Sequence, residues 1–193
     1  MAPADEIVFL WLNDLAGRWP ILDDVVRLVG GDYLLFVSSA LLLLWLWFAG
    51  RKLEAGIWQP AVLASLTAVV LVNPILWLVS QAISHPRPFD TLAEVTVLTY
   101  RATDLPFPSN PVAALVAVGA ALLLSKVDLG WLVLGFGLGL GVARIIAGVH
   151  WPSDVLAGIA IGAIFGWIGT LIIRTSGRPT DRLLAILRKA SLA

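Results

Sequence analysis

The sequence predicts an all-α fold, a polytopic bundle of about five transmembrane helices preceded by an interfacial amphipathic helix. Three observations lead to this fold class. Of the 193 residues, 59% are hydrophobic and only 13% are charged, which is about half the charged share of a soluble domain. Apolar stretches of close to spanning length recur along the chain. Lysines and arginines gather on alternate connections, as expected when a chain crosses a membrane repeatedly.

Five apolar stretches approach the roughly 20 residues that a helix needs to cross a bilayer. They lie at 33–50, 57–83, 111–126, 129–148 and 153–174. The preceding segment, 6–29, carries apolar residues at helical spacing but is too charged to span, so it is predicted to lie in the interface. Residues 1–174 are therefore treated as one membrane-embedded domain and 175–193 as a basic amphipathic tail.

The glycines of the last apolar stretch are spaced four residues apart. Gly158, Gly162 and Gly166 form a GxxxGxxxG stripe. Such a stripe lets two helix backbones approach closely, and it predicts tight packing of this helix on a neighbour.

The distribution of basic residues predicts the orientation of the chain. Two short loops and the C-terminal end fall on one side if the five stretches alternate, and they carry Arg51, Lys52, Lys126, Arg174, Arg178, Arg182, Arg188 and Lys189. Because cytoplasmic loops carry an excess of lysine and arginine, that side is predicted to be cytoplasmic. The 84–110 loop and the 144–154 turn then lie on the extracytoplasmic side of the plasma (inner) membrane.

Composition also excludes several classes of function. The net charge is zero, so no basic field indicates nucleic acid as a partner. The chain has no cysteine and only two histidines, which excludes disulfides and thiolate chemistry and argues against a histidine-rich metal site. We expect no metal and no cofactor, membrane lipids as neighbours, and an oligomeric state that the sequence leaves open.

The segment ARIIAGVHWPSD contains the most suggestive polar cluster, Arg144, His150 and Asp154. On a helix, residues four apart share a face. A carboxylate there can accept from one imidazole nitrogen and leave the other directed at a ligand. The planar guanidinium of Arg144 suits phosphate oxygens. The alternative is an interfacial Arg–Asp pair whose arginine reaches toward water.

Two further polar clusters are predicted on the same side of the membrane. Arg87 lies between two prolines that hold the chain extended, so it is a second candidate phosphate clamp or, alternatively, a positive anchor at the membrane boundary. In PSNP, either Ser109 or Asn110 is predicted to cap a helix with Pro111 in its first turn. Helix N-termini bind anions, although a cap without any ligand is the simpler interpretation.

Together the clusters resemble the type 2 phosphatidic acid phosphatase family of membrane lipid phosphatases. Its motifs KxxxxxxRP, PSGH and SRxxxxxHxxxD correspond here to SQAISHPRP, PSNP and ARIIAGVHWPSD. The branch that dephosphorylates undecaprenyl diphosphate is most similar, because the chain also carries HPRPF and an N…LAG…LD segment, at Asn13, 15–17 and 22–23. The resemblance covers about residues 7–170.

The resemblance implies a role for each matching residue. His150 corresponds to the nucleophile that forms a phosphohistidine, and Asp154 corresponds to the carboxylate that orients it. Arg87 and Arg144 correspond to arginines that bind phosphate. Ser109 corresponds to the serine whose hydroxyl and backbone N–H contact phosphate. No metal is implied, because arginines balance the charge.

His85 lies in the first motif and Asn110 in the second, and both are further candidates for substrate binding. The sequence departs from the family pattern at Ser80, which replaces a lysine, and at Ala143, which replaces a serine. Most importantly, Pro111 replaces the histidine that acts as the general acid. His85 is the other histidine of the chain and the candidate to take over this role.

The loss of the general acid has different consequences for different leaving groups. A lipid monophosphate expels an alkoxide, whose conjugate acid is about as weak as water, with a pKa of about 15.7. A lipid diphosphate expels a phosphate monoester, whose second pKa is about 6. The predicted function is therefore hydrolysis of a polyprenyl (undecaprenyl) diphosphate at the outer face, which implies recycling of a lipid carrier for cell-wall synthesis.

Three alternatives remain at this stage. One is a catalytically inactive relative that binds or helps move lipid phosphates. Another is a structural membrane protein, in which the side chains of Arg87, Arg144 and His150 do not converge. A vanadium haloperoxidase would use a related pocket, but those enzymes are soluble and need the histidine and lysine that are missing here.

Overall fold

The computed structural model describes residues 3–31, 33–49, 55–83, 85–101 and 106–189. All regular structure in these ranges is helical, which confirms the all-α prediction. The helices are α1 (Pro3–Asn13), α2 (Pro20–Gly30), α3 (Leu34–Ala49), α4 (Ala55–Ala82), α5 (Pro88–Thr91), α6 (Asn110–Leu124), α7 (Gly130–Ile146), α8 (Pro152–Thr175) and α9 (Gly177–Lys189).

The five apolar stretches correspond to α3, α4, α6, α7 and α8, with ends shifted by a few residues. Among the described residues, two helices are long and apolar enough to cross a membrane alone, Gly56–Ala82 and Pro152–Thr175. A third crossing results if α2 and α3, which meet at 50°, count as one broken span. Since α6 and α7 are apolar but shorter, the count of about five spans stays a prediction.

Large apolar side chains cover the outer surface of the long helices. Trp45, Val70, Leu156 and Trp167 are each more than half exposed. A soluble protein rarely leaves so much contiguous apolar surface in water, whereas lipid chains cover it at no cost. This surface and the apolar helices are those of an integral membrane protein.

The N-terminal segment forms two helices, so the prediction of one helix over 6–29 is wrong. The chain turns between α1 and α2, where Gly17 has a φ of +81° that glycine adopts without steric cost. The N–H of Gly17 donates to Asp23 Oδ1 at 2.9 Å, and Pro20 begins α2, a position that suits its fixed φ. The placement of residues 6–29 in the membrane interface stays a prediction.

The glycine stripe of α8 packs on α6, as predicted. A Cβ atom at Gly158 would lie 2.6 Å from the carbonyl oxygen of Ser109, and one at Gly166 would lie 2.7 Å from that of Ala117. Both contact points advance together along the two helices, so α6 and α8 run parallel. Their N-termini therefore lie side by side, and the N–H of Ser109 donates to the carbonyl oxygen of Asp154 at 3.0 Å.

In the sequence, Thr180 can cap a helix and Asp181 then lies in its first turn, which predicts a tail helix from Thr180. The tail does form a helix, α9, but it begins earlier. The helix begins at Gly177, and the N–H of Thr180 already donates to the carbonyl oxygen of Ser176 at 3.1 Å. Thr180 therefore lies within the first turn.

The glycine stripe generates a stability prediction. We expect Gly166→Ala to lower the midpoint of thermal unfolding in detergent, because the added methyl meets Ala117 O at 2.7 Å and Ala120 Cβ at 2.7 Å and such overpacking costs about 1–3 kcal/mol. The matched control is Gly135→Ala, where nothing lies within 4 Å. That change should raise the midpoint, since alanine favours helix by about 1 kcal/mol. Equal shifts in the two variants would contradict close α6–α8 packing.

Candidate active site

The central element of the site is the turn that joins α7 to α8, residues 147–151, which we call the histidine turn. Gly148 has a φ of +79°, and a Cβ atom there would lie 2.6 Å from the carbonyl oxygen of Thr96. The N–H of Val149 donates back to the carbonyl oxygen of Arg144 at 3.1 Å. The turn is thereby closed tightly over the end of α7, and it places His150 at its inner side.

His150 lies between an arginine and a carboxylate. Its side chain is 3% exposed, and its Nδ1 lies 3.5 Å from Asp154 Oδ2, a contact longer than a good hydrogen bond, so this nitrogen has no hydrogen-bond partner among the described residues. Its Nε2 lies 3.3 Å from Arg144 Nη1. Because a guanidinium can only donate, Nε2 is the acceptor in this contact and the ring proton belongs on Nδ1, facing the carboxylate. Nε2 then carries the lone pair of the ring, which accepts from Arg144 in this arrangement.

The prediction that His150 and Asp154 share one helix face is wrong in its detail. Proline 152 begins α8, so His150 precedes the helix and only Asp154 lies on it. The two side chains meet because Asp154 occupies the third helical position, and its Oδ2 accepts the N–H of Trp151 at 2.8 Å. This capping contact turns the carboxylate back toward the histidine turn.

Asp154 is fully buried and also binds a second imidazole. Its Oδ1 lies 3.0 Å from His85 Nδ1, and the side chain of His85 is 18% exposed. Both histidines of the chain therefore meet the same carboxylate. The sequence contained no signal for this pairing, because the two residues are 69 positions apart.

Both predicted arginines lie at the histidine turn. Arg87 is 4% exposed, and its Nη1 donates to the carbonyl oxygen of Val149, next to His150, at 2.7 Å. The Nε of Arg144 donates to the carbonyl oxygen of Gly30 at 3.2 Å. These bonds to backbone fix each guanidinium beside the imidazole. In a purely structural membrane protein, the side chains of Arg87, Arg144 and His150 were not expected to converge. They lie together, which argues against that alternative.

The second motif lies at the start of α6. Ser109 is the N-cap residue but makes no side-chain capping bond. Its Oγ is buried and has no hydrogen-bond partner within the described part of the chain. Its N–H is already used by Asp154 O, so the hydroxyl is the group that remains for a ligand. Asn110 is exposed, and Pro111 follows in the first turn.

The first helix contacts the histidine turn and the helix ends that flank it through three residues spaced four apart, Asp5, Phe9 and Asn13, which we call the α1 stripe. Asp5 accepts from the N–H of Ser153 at 2.9 Å and from its hydroxyl at 2.6 Å. The ring centroid of Phe9 lies 4.9 Å from that of Trp151. Spacing of four places all three on one face of α1, so α1 supports both ends of the turn.

Asn13 joins three parts of the chain. Its Nδ2 donates to the carbonyl oxygens of Thr96 and Ile146, both at 2.8 Å, and its Oδ1 accepts the N–H of Thr96 at 3.0 Å. This asparagine is the first residue of the N…LAG…LD segment, which was noticed only as a resemblance. Its buried amide explains why an asparagine suits this position, since both of its polar atoms find partners.

The environment of His150 determines its protonation. Burial is the largest effect and lowers the pKa of His150 from its usual 6.5; the contact with Asp154 opposes this, and the charges of Arg144 and Arg87 lower the pKa further. The net direction is downward. His150 is therefore neutral at pH 7, which is the form that a nucleophilic imidazole requires.

Comparison with known proteins identifies the family. A sequence profile described as PAP2 superfamily matches residues 58–178, more than half of the 193-residue chain. The chain belongs to the PAP2 superfamily. This result confirms the resemblance that the three motifs indicated, and the matched PAP2 segment contains all seven residues predicted for the site.

Individual relatives extend the match beyond the PAP2 segment. The bacitracin transport permease protein BcrC of Bacillus licheniformis is 30% identical over 156 residues, which cover 81% of this chain and 74% of the relative. The undecaprenyl-diphosphatase BcrC of Bacillus subtilis (strain 168) is 28% identical over 163 residues, covering 83% and 80%. The crystal structure of Aquifex aeolicus LpxE superposes with a TM-score of 0.62 at 29% identity, covering 84% of this chain and 92% of that one.

The bonds of Asn13 generate a prediction. We expect Asn13→Ala to lower the free energy of unfolding by about 1–3 kcal/mol, because it removes the partner of the buried Ile146 carbonyl and of two partly buried backbone groups of Thr96. Thermal unfolding in detergent measures this. Asp14→Ala is the matched control, because Asp14 is exposed and pairs with Arg18 at the surface, where such pairs contribute little. A loss in Asn13→Ala no larger than in this control would contradict the role of Asn13.

The protonation of His150 can be followed directly, since the chain has only two histidines. In nitrogen-15 spectra of labelled histidine, with His150→Ala used for assignment, we expect the His150 midpoint below 6.5. Asp154→Asn should lower this midpoint further, because it removes an interaction that favours the imidazolium. Arg144→Met should raise it, because it removes a repelling charge. A midpoint at or above 6.5 in the unmodified protein would contradict the assignment.

Proposed function

We propose that this protein is a membrane-embedded phosphatase that hydrolyses a polyprenyl diphosphate, such as undecaprenyl diphosphate, through a phosphohistidine intermediate. The observation that carries the proposal is the placement of His150, with Nε2 facing Arg144 at 3.3 Å and Nδ1 facing Asp154 at 3.5 Å. A neutral imidazole oriented by a carboxylate is an activated nucleophile. Membership of the PAP2 superfamily and a relative named as an undecaprenyl-diphosphatase support this substrate class.

In the proposed reaction, Nε2 of His150 attacks the terminal phosphorus of the diphosphate. The bond from that phosphorus to the bridging oxygen breaks, and the lipid monophosphate leaves with the bonding electrons. As the nitrogen–phosphorus bond forms, the ring becomes positively charged and Asp154 stabilises it. Water then attacks the phosphohistidine, inorganic phosphate leaves, and the imidazole is regenerated. Overall, one phosphoanhydride bond is hydrolysed.

Three groups are placed to hold the transferred phosphoryl group. Arg144 contacts Nε2 of His150, the attacking nitrogen. Arg87 donates a hydrogen bond to the carbonyl oxygen of Val149, the residue before His150. The buried hydroxyl of Ser109 has no partner among the described residues and can donate to a phosphoryl oxygen. Guanidinium groups fixed before the reaction stabilise developing negative charge without reorganisation, and in the proposed reaction they take the role that a metal ion has elsewhere.

The proposed side of the reaction is the outer face of the membrane. The site lies where α7 ends and where α6 and α8 begin, whereas Lys126, Arg174 and α9 lie at the opposite ends of these helices. Basic residues favour the cytoplasm, so this distribution supports an extracytoplasmic site and a cytoplasmic tail. Arg51 and Lys52, which the orientation also used, lie outside the described residues.

One observation supports a second candidate, a protein that binds lipid phosphates without turnover. Pro111 occupies the position of the family's general acid, and it has no group that can carry a proton. The consequence depends on the leaving group, because a phosphate monoester with a second pKa of about 6 leaves as an anion more readily than an alkoxide does. The substitution therefore favours either a diphosphate substrate or no reaction.

Phosphate release separates the two candidates. We expect the purified protein in detergent to release phosphate faster from undecaprenyl diphosphate than from phosphatidic acid, and His150→Ala to release none from either. With substrate labelled in its terminal phosphate, an acid-labile label should be trapped on the unmodified protein and not on His150→Ala. If the protein releases no phosphate and traps no label but still binds lipid phosphates tightly, the phosphatase is excluded and the second candidate, a binding protein without turnover, remains.

The same assay tests the arginine at the nucleophile. Arg144→Ala should lower kcat by about 10²–10³-fold, the usual effect of removing one donor from a transition state. Arg101→Ala is the matched control, because Arg101 is also an arginine but is exposed and stacks over Phe89 at 5.2 Å. Its activity should stay close to that of the unmodified protein. Equal losses in the two variants would contradict the role of Arg144.

A further inference from the structure

The second histidine of the chain is placed at the site without having a role in the reaction proposed so far. His85 Nδ1 lies 3.0 Å from Oδ1 of Asp154, while His150 faces Oδ2 of the same carboxylate. One buried carboxylate therefore positions two imidazoles, one on each of its oxygens. The two differ in access, since the side chain of His150 is 3% exposed and that of His85 is 18% exposed.

The ring of His85 is held in place by its surroundings. Its centroid lies 5.8 Å from the ring of Phe107, in an edge-on arrangement, and 6.3 Å from that of Trp151. The adjoining backbone is also fixed, because the indole N–H of Trp151 donates to the carbonyl oxygen of Pro86 at 2.9 Å. Since Nδ1 is directed at the carboxylate, Nε2 is the ring nitrogen that remains to exchange a proton with a ligand.

Expulsion of an alkoxide, the leaving group of a lipid monophosphate, requires such a group. Pro111 occupies the place of a proton donor, the guanidinium groups of Arg87 and Arg144 stay protonated throughout, and the hydroxyl of Ser109 is a poor acid. His150 cannot supply the proton to the leaving group, because its Nε2 forms the bond to phosphorus. Imidazole is the side chain whose unperturbed proton equilibrium lies near neutral pH, and the chain has one other imidazole, His85.

We propose that His85 is the general acid and base of this site, in place of the histidine that Pro111 replaces. The assignment rests on the proposed function. In the first step, Nε2 of protonated His85 gives its proton to the leaving oxygen as the phosphorus–oxygen bond breaks. In the second step, the same nitrogen takes a proton from the attacking water, while the nitrogen–phosphorus bond breaks and its electrons return to His150. His85 ends the cycle protonated, as it began.

This assignment has a consequence for substrate range. A site with a working general acid can expel an alkoxide as well as a phosphate monoester. The protein should therefore hydrolyse a lipid monophosphate, more slowly than the diphosphate but at a measurable rate. That activity should depend on His85 much more than the diphosphatase activity does, because an alkoxide needs a proton to leave and a phosphate monoester, with a second pKa of about 6, does not.

The test compares leaving groups in His85→Asn. The asparagine amide nitrogen takes about the place of Nδ1 and can still donate to Asp154, but it cannot transfer a proton. We expect kcat to fall about 10²–10⁴-fold with phosphatidic acid, the usual contribution of general acid catalysis, and less than about tenfold with undecaprenyl diphosphate. Asp90→Asn, an exposed position just after the first motif, is the matched control and should leave both rates unchanged.

The comparison of the two substrates decides the role of His85. Equal losses on both substrates would assign His85 a positioning role only and overturn the proposal. No loss on either substrate would also overturn it.

The outcome for the unmodified protein separates this assignment from the proposed function. Hydrolysis of the diphosphate without any hydrolysis of phosphatidic acid would mean that the site lacks a working acid. His85 would then be excluded while the diphosphatase remained. If neither lipid is hydrolysed, the proposed function fails and the assignment fails with it.

Discussion

The buried carboxylate of Asp154 is the interaction on which the rest of the site depends. It is fully inaccessible to solvent, yet it accepts from the Trp151 N–H and meets the imidazoles of His150 and His85. A buried carboxylate is costly unless its oxygens are satisfied, and here each oxygen has partners. The carboxylate therefore links the start of α8, His150 and His85. Removal of any one partner would change the position of the others, because they share the same two atoms.

The glycine stripe of α8 makes this arrangement possible at the level of the fold. Close contact at Gly158 and Gly166 holds α6 and α8 parallel, so both helix N-termini reach the same end of the bundle. Ser109 and Asp154 are joined there through the backbone. In this way the packing of a glycine stripe brings together the hydroxyl of Ser109 and the carboxylate of Asp154, which are 45 residues apart in the sequence.

Features with a local cause could be predicted from the sequence, and features that depend on long-range contacts could not. The helices α3, α4, α6, α7 and α8 follow from apolar stretches, and the grouping of Arg87, Arg144 and His150 follows from motif order and alternation of spans. The turn at Gly17 was missed, because the positive φ of one glycine and the proline that begins α2 interrupt an otherwise helical pattern. The early start of α9 was also missed, and no local signal explains it. The pairing of His85 with Asp154 and the contacts of the α1 stripe link residues 69 to 148 positions apart, and no local pattern encodes them.

The α1 stripe lies well before residue 58, where the match to the superfamily profile begins. Asp5, Phe9 and Asn13 nevertheless contact Ser153, Trp151 and Ile146, on both sides of His150. The unit that holds His150 in place is thus larger than the segment that the superfamily profile matches. Chimaeras built by joining this segment to the first helix of a homologue would alter the surroundings of His150, even though every residue of the three motifs stayed the same.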